Sequence, residues 1–78
     1  MDIKTSNKVT GIKQSTRAIE SGEAFCAFVA NDCDDKIRLP FLALCRKHSV
    51  EVTLVESMAK LGELCGIDVG AAVTVILR

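Results

Sequence analysis

The stretch AFCAFVA, Ala24 to Ala30, constrains the fold of this chain more than any other. It is a near-continuous apolar run of strand length, so both of its faces are expected to be covered. A strand covered on both faces belongs inside a sheet with helices above and below. The chain on either side supplies such elements in alternation. Upstream, Ile12, Thr16 and Ile19 share one helical face at i, i+4 and i+7, with Lys13, Arg17 and Glu20 on a neighbouring face. Thr10 stands where it can cap that helix, Gly11 relaxes its entry and Gly22 ends it.

Downstream, NDCDDK reads as a loop, and Pro40 suits the first turn of a second helix. Phe41, Leu44, Cys45 and His48 form its inner face, while Arg46 and Lys47 point out. VEVTLV, Val50 to Val55, alternates as a strand. Ser57 is the expected N-cap of a third helix, Met58 to Cys65, with Met58, Leu61, Leu64 and Cys65 inward and Gly66 as its stop. DVG turns the chain, and AAVTVIL, Ala71 to Leu77, is the last strand. A short extended piece near Val9 precedes the first helix, and residues 1–8 are expected to be frayed or weakly helical. The alternation predicts a single α/β domain over residues 1–78, a three-layer α/β/α sandwich. Its central four-stranded sheet is expected to be mixed but mostly parallel.

With 49% hydrophobic residues a real core is expected, although the only aromatics are Phe25, Phe28 and Phe41. Ten acidic and ten basic side chains cancel, so only the distribution of charge is informative. Lys4, Lys8, Lys13 and Arg17 face Asp2 alone within the first seventeen residues, whereas Asp32, Asp34 and Asp35 cluster in one later loop. Cationic charge set apart in this way suits a surface that meets a polyanion. The four cysteines, Cys26, Cys33, Cys45 and Cys65, form no CxxC, and His48 is the only histidine, so no metal site is expected. The polar first ten residues do not read as a signal peptide, and buried, reduced thiols in a cytoplasmic protein are expected. No apolar run approaches the ~20 residues of a membrane-spanning helix.

Asp32, Asp34 and Asp35 are the right chemistry for Mg²⁺ or Ca²⁺ in a small metal-dependent enzyme, but aspartates in such a loop more often build turns and cap the following helix. There is no GxGxxG and no GxxxxGK[ST], and nothing places His48 beside a particular thiol; an enzyme is not expected. Phe25 and Phe28 lie in the buried strand, which leaves no aromatic platform for stacking bases. What remains is the mouth of the first helix, TGIKQSTR. Its first turns carry Lys13, Gln14 and Arg17 at the end of a helix that favours acids. Lys can donate to guanine O6 and N7, Gln can both donate and accept on a base edge, and open helix N–H groups suit phosphate. Ordinary solvated surface is the competing reading. VESM, Val55 to Met58, joins an apolar body to an adaptable thioether suited to an extruded base, or else belongs to the core. The small run GAA, Gly70, Ala71 and Ala72, permits close approach or simply packs.

The segment VESMAKLGELCGIDVGAAVTVIL, with TGIKQSTRAIESG, FVANDCDD and LPFLALCRKHSVEV before it, resembles the kink-turn-binding ribosomal protein family. This is the archaeal large-subunit seven-Ae and thirty-e type, and the similarity is nearest to its small, ribosome-associated bacterial members. It runs in order over roughly residues 9–77. The resemblance implies an α/β/α sandwich that binds a kink-turn, a sharply bent RNA stem built on tandem sheared G·A pairs beside a bulge. In the family the helix after the glycine enters the groove at the G·A pairs, a role that falls here on Gly11, Lys13, Gln14 and Arg17. The loop before the LG helix cradles the bulged nucleotide, a role that falls on Val55, Glu56, Ser57 and Met58; Gly70 and Ala71 are counted with the RNA-binding candidates as small residues that permit close approach. Archaeal members carry Asn-Glu in place of Lys13-Gln14 and a proline in place of Glu56. The resemblance thus implies a non-enzymatic, cofactor-free, monomeric RNA-binding protein whose partner is kink-turn RNA, in rRNA or structured mRNA, on or around the ribosome. A protein-interaction module of the same fold without kink-turn affinity is the alternative.

Overall fold

The computed structural model describes residues 2–78 in the order β1 (Lys8–Thr10), α1 (Ile12–Glu20), β2 (Ala24–Ala30), α2 (Asp35–Lys47), β3 (Glu51–Val55), α3 (Met58–Cys65) and β4 (Val73–Leu77). The expected alternation is present. The sheet runs β1-β4-β2-β3. It is mixed as expected but not mostly parallel: only β2 and β3 pair in parallel, while β4 is antiparallel to both β1 and β2.

The direction of β4 has a local cause. Helix α3 leaves the C-terminal end of β3, and the chain after Gly66 folds back along that helix, so that the Ala71 N–H donates to the Met58 carbonyl at 3.0 Å. A Cβ on Gly62 would lie only 2.1 Å from the Val69 carbonyl oxygen, so the return path exists because residue 62 has no side chain. The chain therefore enters β4 at the end where α3 began and must run against β2.

Two layers of helix cover the sheet. Helices α1 and α2 pack on each other and, respectively, on β4 with β1 and on β3 with β2; α3 packs on β2 and β3. The Cys65 sulfur lies 3.3 Å from the Thr74 hydroxyl, which puts Thr74 and its sheet partner Phe28 on the α3 side. Ala27, Val29, Val73 and Val75 are fully buried at the centre with Ile19, Phe41 and Leu61.

Capping chemistry explains the helix boundaries. Ser57 accepts from the Lys60 N–H at 3.0 Å, and Gly66 closes α3 in the left-handed conformation, as expected. At the end of α1 the Gly22 N–H reaches the Ile19 carbonyl and the Glu23 N–H the Ala18 carbonyl, the two bonds of a Schellman motif. Helix α2 departs from expectation. It starts five residues before Pro40, because Asp34 caps it by accepting from the Lys36 N–H at 2.9 Å. Pro40 therefore lies inside the helix, where its missing N–H leaves the Lys36 carbonyl without an intrahelical donor.

Several faces are corrected. In α1 the buried line is Ser15, Ala18 and Ile19, and Ile12 is 40% exposed because it borders the cleft between α1 and α2. His48 is exposed as the C-cap of α2 rather than part of its inner face. A bulge between Ala24 and Cys26 breaks the pairing of β2 with β4 and turns Phe25 outward, 56% exposed, and Phe28 is only half-buried. Of residues 1–8, residue 1 lies outside the described residues. The others are held rather than frayed: Asp2 accepts at its carbonyl from the Ser6 N–H at 3.1 Å, Ile3 joins the core, and Lys8 opens β1. Among the described residues all four cysteines are unpaired, three of them buried and Cys26 half-buried. No helix among them is long and apolar enough to cross a membrane.

Candidate nucleic-acid interface

Gly11, not Thr10, is the N-cap of α1. Thr10 is taken up by β1, where it pairs with Thr74, and no side chain caps the helix. Gly11 adopts φ 100 and ψ 154, a conformation closed to other residues, and a Cβ there would meet nothing within 4 Å. Glycine is thus required by the backbone, and the space in front of it is open. The other two helices present side-chain caps, Asp34 and Ser57. Helix α1 alone leaves its first N–H groups to an outside acceptor, and no acidic residue lies in its first turn.

Around this mouth stand exposed cations. Lys13, Gln14 and Arg17 are exposed, and among the described residues Lys13 and Arg17 make no ion pair. Gln14 and Arg17 line one shallow depression with Val9, Ala18 and Leu77. Lys36, from α2, borders the cleft that Ile12 and Thr16 share with Ile37. Lys8, by contrast, faces away from the mouth, its ammonium donating to the Lys4 carbonyl at 2.9 Å.

The second candidate segment lies at the same end of the sheet. Five hydrogen bonds stitch the chain together there. The Gly11 N–H donates to the Val73 carbonyl at 3.1 Å and the Ala30 N–H to the Ala72 carbonyl at 2.8 Å. The Asn31 N–H donates to the Val55 carbonyl at 2.7 Å, and the Met58 N–H to Asp32 Oδ1 at 2.7 Å. The Ala71 N–H closes the set on the Met58 carbonyl. The helix mouth, the β2–α2 loop, the β3–α3 turn and the approach to β4 are thereby one surface. Val55 is buried and serves as the anchor of its turn, whereas Glu56 is exposed and Ser57 half-buried at the tip. Met58 is 37% exposed and not part of the inner face of α3, which is made by Leu61, Gly62 and Cys65. Gly70 lies against Met58, since a Cβ on it would sit 3.3 Å from Met58 atoms, and Ala71 is buried behind.

Sequence reasoning missed Val69, an apolar side chain that is 69% exposed next to Gly70, the residue that lies against Met58. The available signal was an aliphatic residue in a turn otherwise polar or glycine-rich. It also missed the part played by Asp32.

The aspartates have individual structural uses. Asp32 accepts from the Met58 N–H, Asp34 caps α2, and Asp35 pairs with Arg38, whose guanidinium also reaches the Asn31 carbonyl and Oδ1 at 3.3 and 3.2 Å. Among the described residues no three His, Cys, Asp or Glu side chains converge as a metal site. Three of the thiols are not activated: burial pushes Cys45 up to about 11 and raises Cys26 and Cys33. Glu51 raises Cys26 further, and the Arg38 charge opposes the rise at Cys33. What the surface offers is open N–H groups and exposed cations without an ion pair for anions, near the exposed apolar side chains of Met58 and Val69.

Known proteins share this arrangement of elements. The Giardia lamblia 15.5kD RNA binding protein superposes with a TM-score of 0.85 at 23% identity, over 92% of this chain and 61% of its own. In sequence, the RNA-binding protein YbxF of Geobacillus stearothermophilus is 47% identical over 70 residues, 90% of this chain and 85% of that protein. The large ribosomal subunit protein eL8 of the archaeon Halobacterium salinarum is 32% identical over 74 residues, 94% of this chain and 62% of that protein. The profile described as the ribosomal protein L7Ae/L30e/S12e/Gadd45 family matches residues 2–78. The chain belongs to that family.

Proposed function

We propose that this chain is a non-enzymatic RNA-binding protein that recognises a kink-turn, acting as a cytoplasmic monomer without a cofactor, on or around the ribosome. The observation that carries the reading is the coincidence of two recognition surfaces at one end of the sheet. One is the uncapped mouth of α1 with Lys13, Gln14 and Arg17; the other is the exposed Met58 beyond the β3–α3 turn, with Gly70 against it and the exposed Val69 next along the chain. Names given to its relatives, among them RNA-binding protein YbxF, support the coarser part of the reading.

In mechanism, the mouth enters the groove at the sheared G·A pairs. Lys13 and Gln14 reach base edges, where a Lys ammonium donates to guanine O6 or N7 and a Gln amide satisfies a donor–acceptor pair. Phosphates meet the open N–H groups of the first turn and the Arg17 and Lys36 charges. The bulged nucleotide rests on the exposed Met58, with Glu56 and Ser57 at the tip of the turn. Cations at the positive end of a helix cost the free protein ~0.3–1 kcal/mol each. A few contacts to bases and phosphates outweigh that cost, which explains why the helix carries no acid at its start.

The test is a gel-shift of a kink-turn duplex against a duplex whose G·A pairs are replaced by Watson–Crick pairs, at one salt concentration. Preference for the kink-turn is expected. Equal retention of both duplexes removes kink-turn recognition, and retention of neither leaves the protein-interaction module of the same fold.

A further inference from the structure

Asp32 stands 26 residues before Met58, in a different loop, yet its Oδ1 accepts the Met58 N–H at 2.7 Å. That distance lies in the charge-assisted range. Helix α3 does not need this bond to begin, because Ser57 already caps it through the Lys60 N–H. The carboxylate instead joins two loops that no ladder holds together at this point. On its own side the β2–α2 loop is fixed by the Asn31 N–H on the Val55 carbonyl and by the Arg38 guanidinium on Asn31. Beyond the bond, the Met58 carbonyl is held by the Ala71 N–H. The backbone of Met58 is thus tied at both ends, and Asp32 is the only side chain in the tie. Without it, the turn from Glu56 to Met58 would be anchored by Val55 alone on its N-terminal side.

The feature is unexpected on charge grounds. An exposed carboxylate beside a surface built for phosphates repels its ligand, so its presence calls for a compensating use. The positive end of α3 favours the anion and offsets part of that repulsion.

We propose that Asp32 is a positioning residue for the bulged nucleotide: by holding the Met58 N–H it sets the β3–α3 turn and presents the exposed Met58 side chain before RNA arrives. This rests on the kink-turn reading. Its effect is confined to the bulge, because the α1 mouth is built on Gly11 and the Val73 carbonyl and shares no bond with Asp32.

The experiment compares wild type, Asp32→Ala and Asp32→Asn on two RNAs, a kink-turn and the same tandem G·A duplex with the bulge deleted. Wild type is first required to prefer the kink-turn over the Watson–Crick control; if it does not, the kink-turn reading fails and Asp32 is not at issue. Given that preference, Asp32→Ala is expected to bind the kink-turn roughly three- to thirtyfold more weakly, the range to which loss of a helix-cap bond corresponds. Its affinity for the bulge-deleted duplex stays unchanged, whereas general loosening of the fold weakens both. Asp32→Asn keeps an acceptor oxygen and removes the repulsion, so it should bind the kink-turn at least as tightly as wild type. Independently of RNA, amide exchange read by NMR should show the Met58 N–H exposed in Asp32→Ala and protected in Asp32→Asn. Equal losses on both RNAs, or an unaltered affinity of Asp32→Ala for the kink-turn with Met58 deprotected, would overturn the proposal.

Discussion

The Val69 carbonyl oxygen occupies the space in which a Cβ of residue 62 would lie, 2.1 Å away. The neighbour is main chain and cannot swing aside, so Gly62→Ala must push the 67–70 loop off α3. A loss of about 2–3 kcal/mol is expected, the usual scale for an overpacked site, read as a lower urea midpoint. Because that loop carries Val69 and Gly70, kink-turn affinity should fall as well. A variant as stable as wild type would show that the loop follows another path.

Lys13 and Gln14 separate a base reader from a general polyanion binder. Truncating either to Ala should cost ~1–3 kcal/mol on a kink-turn and far less on a Watson–Crick control. Arg17→Ala should weaken both more evenly. With Lys13, Arg17 and Lys36 as the available cations, log K should fall with log salt at a slope of roughly −2 to −3, and Arg17→Ala should reduce it by about one. Equal losses on both RNAs for Lys13→Ala and Gln14→Ala would reduce the helix mouth to a charged patch.

Met58 is exposed, so its replacement by Asp is a test of the surface rather than of the core. Stability should move by no more than about 1 kcal/mol, since a carboxylate at a helix start is favoured while its repulsion from Asp32 opposes the gain. RNA affinity should drop about tenfold, from loss of the apolar body and addition of a negative charge beside the phosphates. Thermal melts alongside gel-shifts separate the two effects; an unfolded Met58→Asp would make the residue part of the core.

Burial holds the Cys45 thiol at about 11, against an ordinary value of 9.0. The native state therefore keeps a proton that the unfolded chain gives up in alkali. This contribution is intact below about pH 9 and is lost as pH rises through about 11, to a total of ~2–3 kcal/mol. Urea midpoints at about pH 8 and about pH 10.5 should fall more steeply for wild type than for Cys45→Ala, which starts lower because of the cavity it leaves. Parallel falls would assign the alkaline loss to another group.

Legibility followed the range of the interaction. Ser57 and Gly66 bound α3 as expected because a cap is chemistry within a few residues. The start of α2 was misplaced because Pro40 is a strong signal and Asp34 a quieter one, yet Asp34 caps the helix upstream and Pro40 is accommodated inside it. Thr10 was a credible cap until β1 claimed it for pairing with Thr74, a partner 64 positions away (74 − 10). The direction of β4 hangs on a contact between Gly62 and Val69 that no periodicity records. The candidate residues were individually visible through charge and resemblance. Their union on one surface was not, since it depends on Asn31, Asp32 and Ala71 bonding across loops.

The placement of β4 between β1 and β2 has a consequence for how the chain comes into being. A ribosome releases β1, β2 and β3 first, and of these only β2 and β3 can pair with each other. Strand β1 has no partner but β4, so it must wait in solution for Val75 to meet Val9. Helix α1, whose mouth follows β1 directly, waits with it. Pairings this distant in sequence form late and slowly. The end of the sheet that carries the α1 mouth is therefore completed only when β4 slots in between β1 and β2.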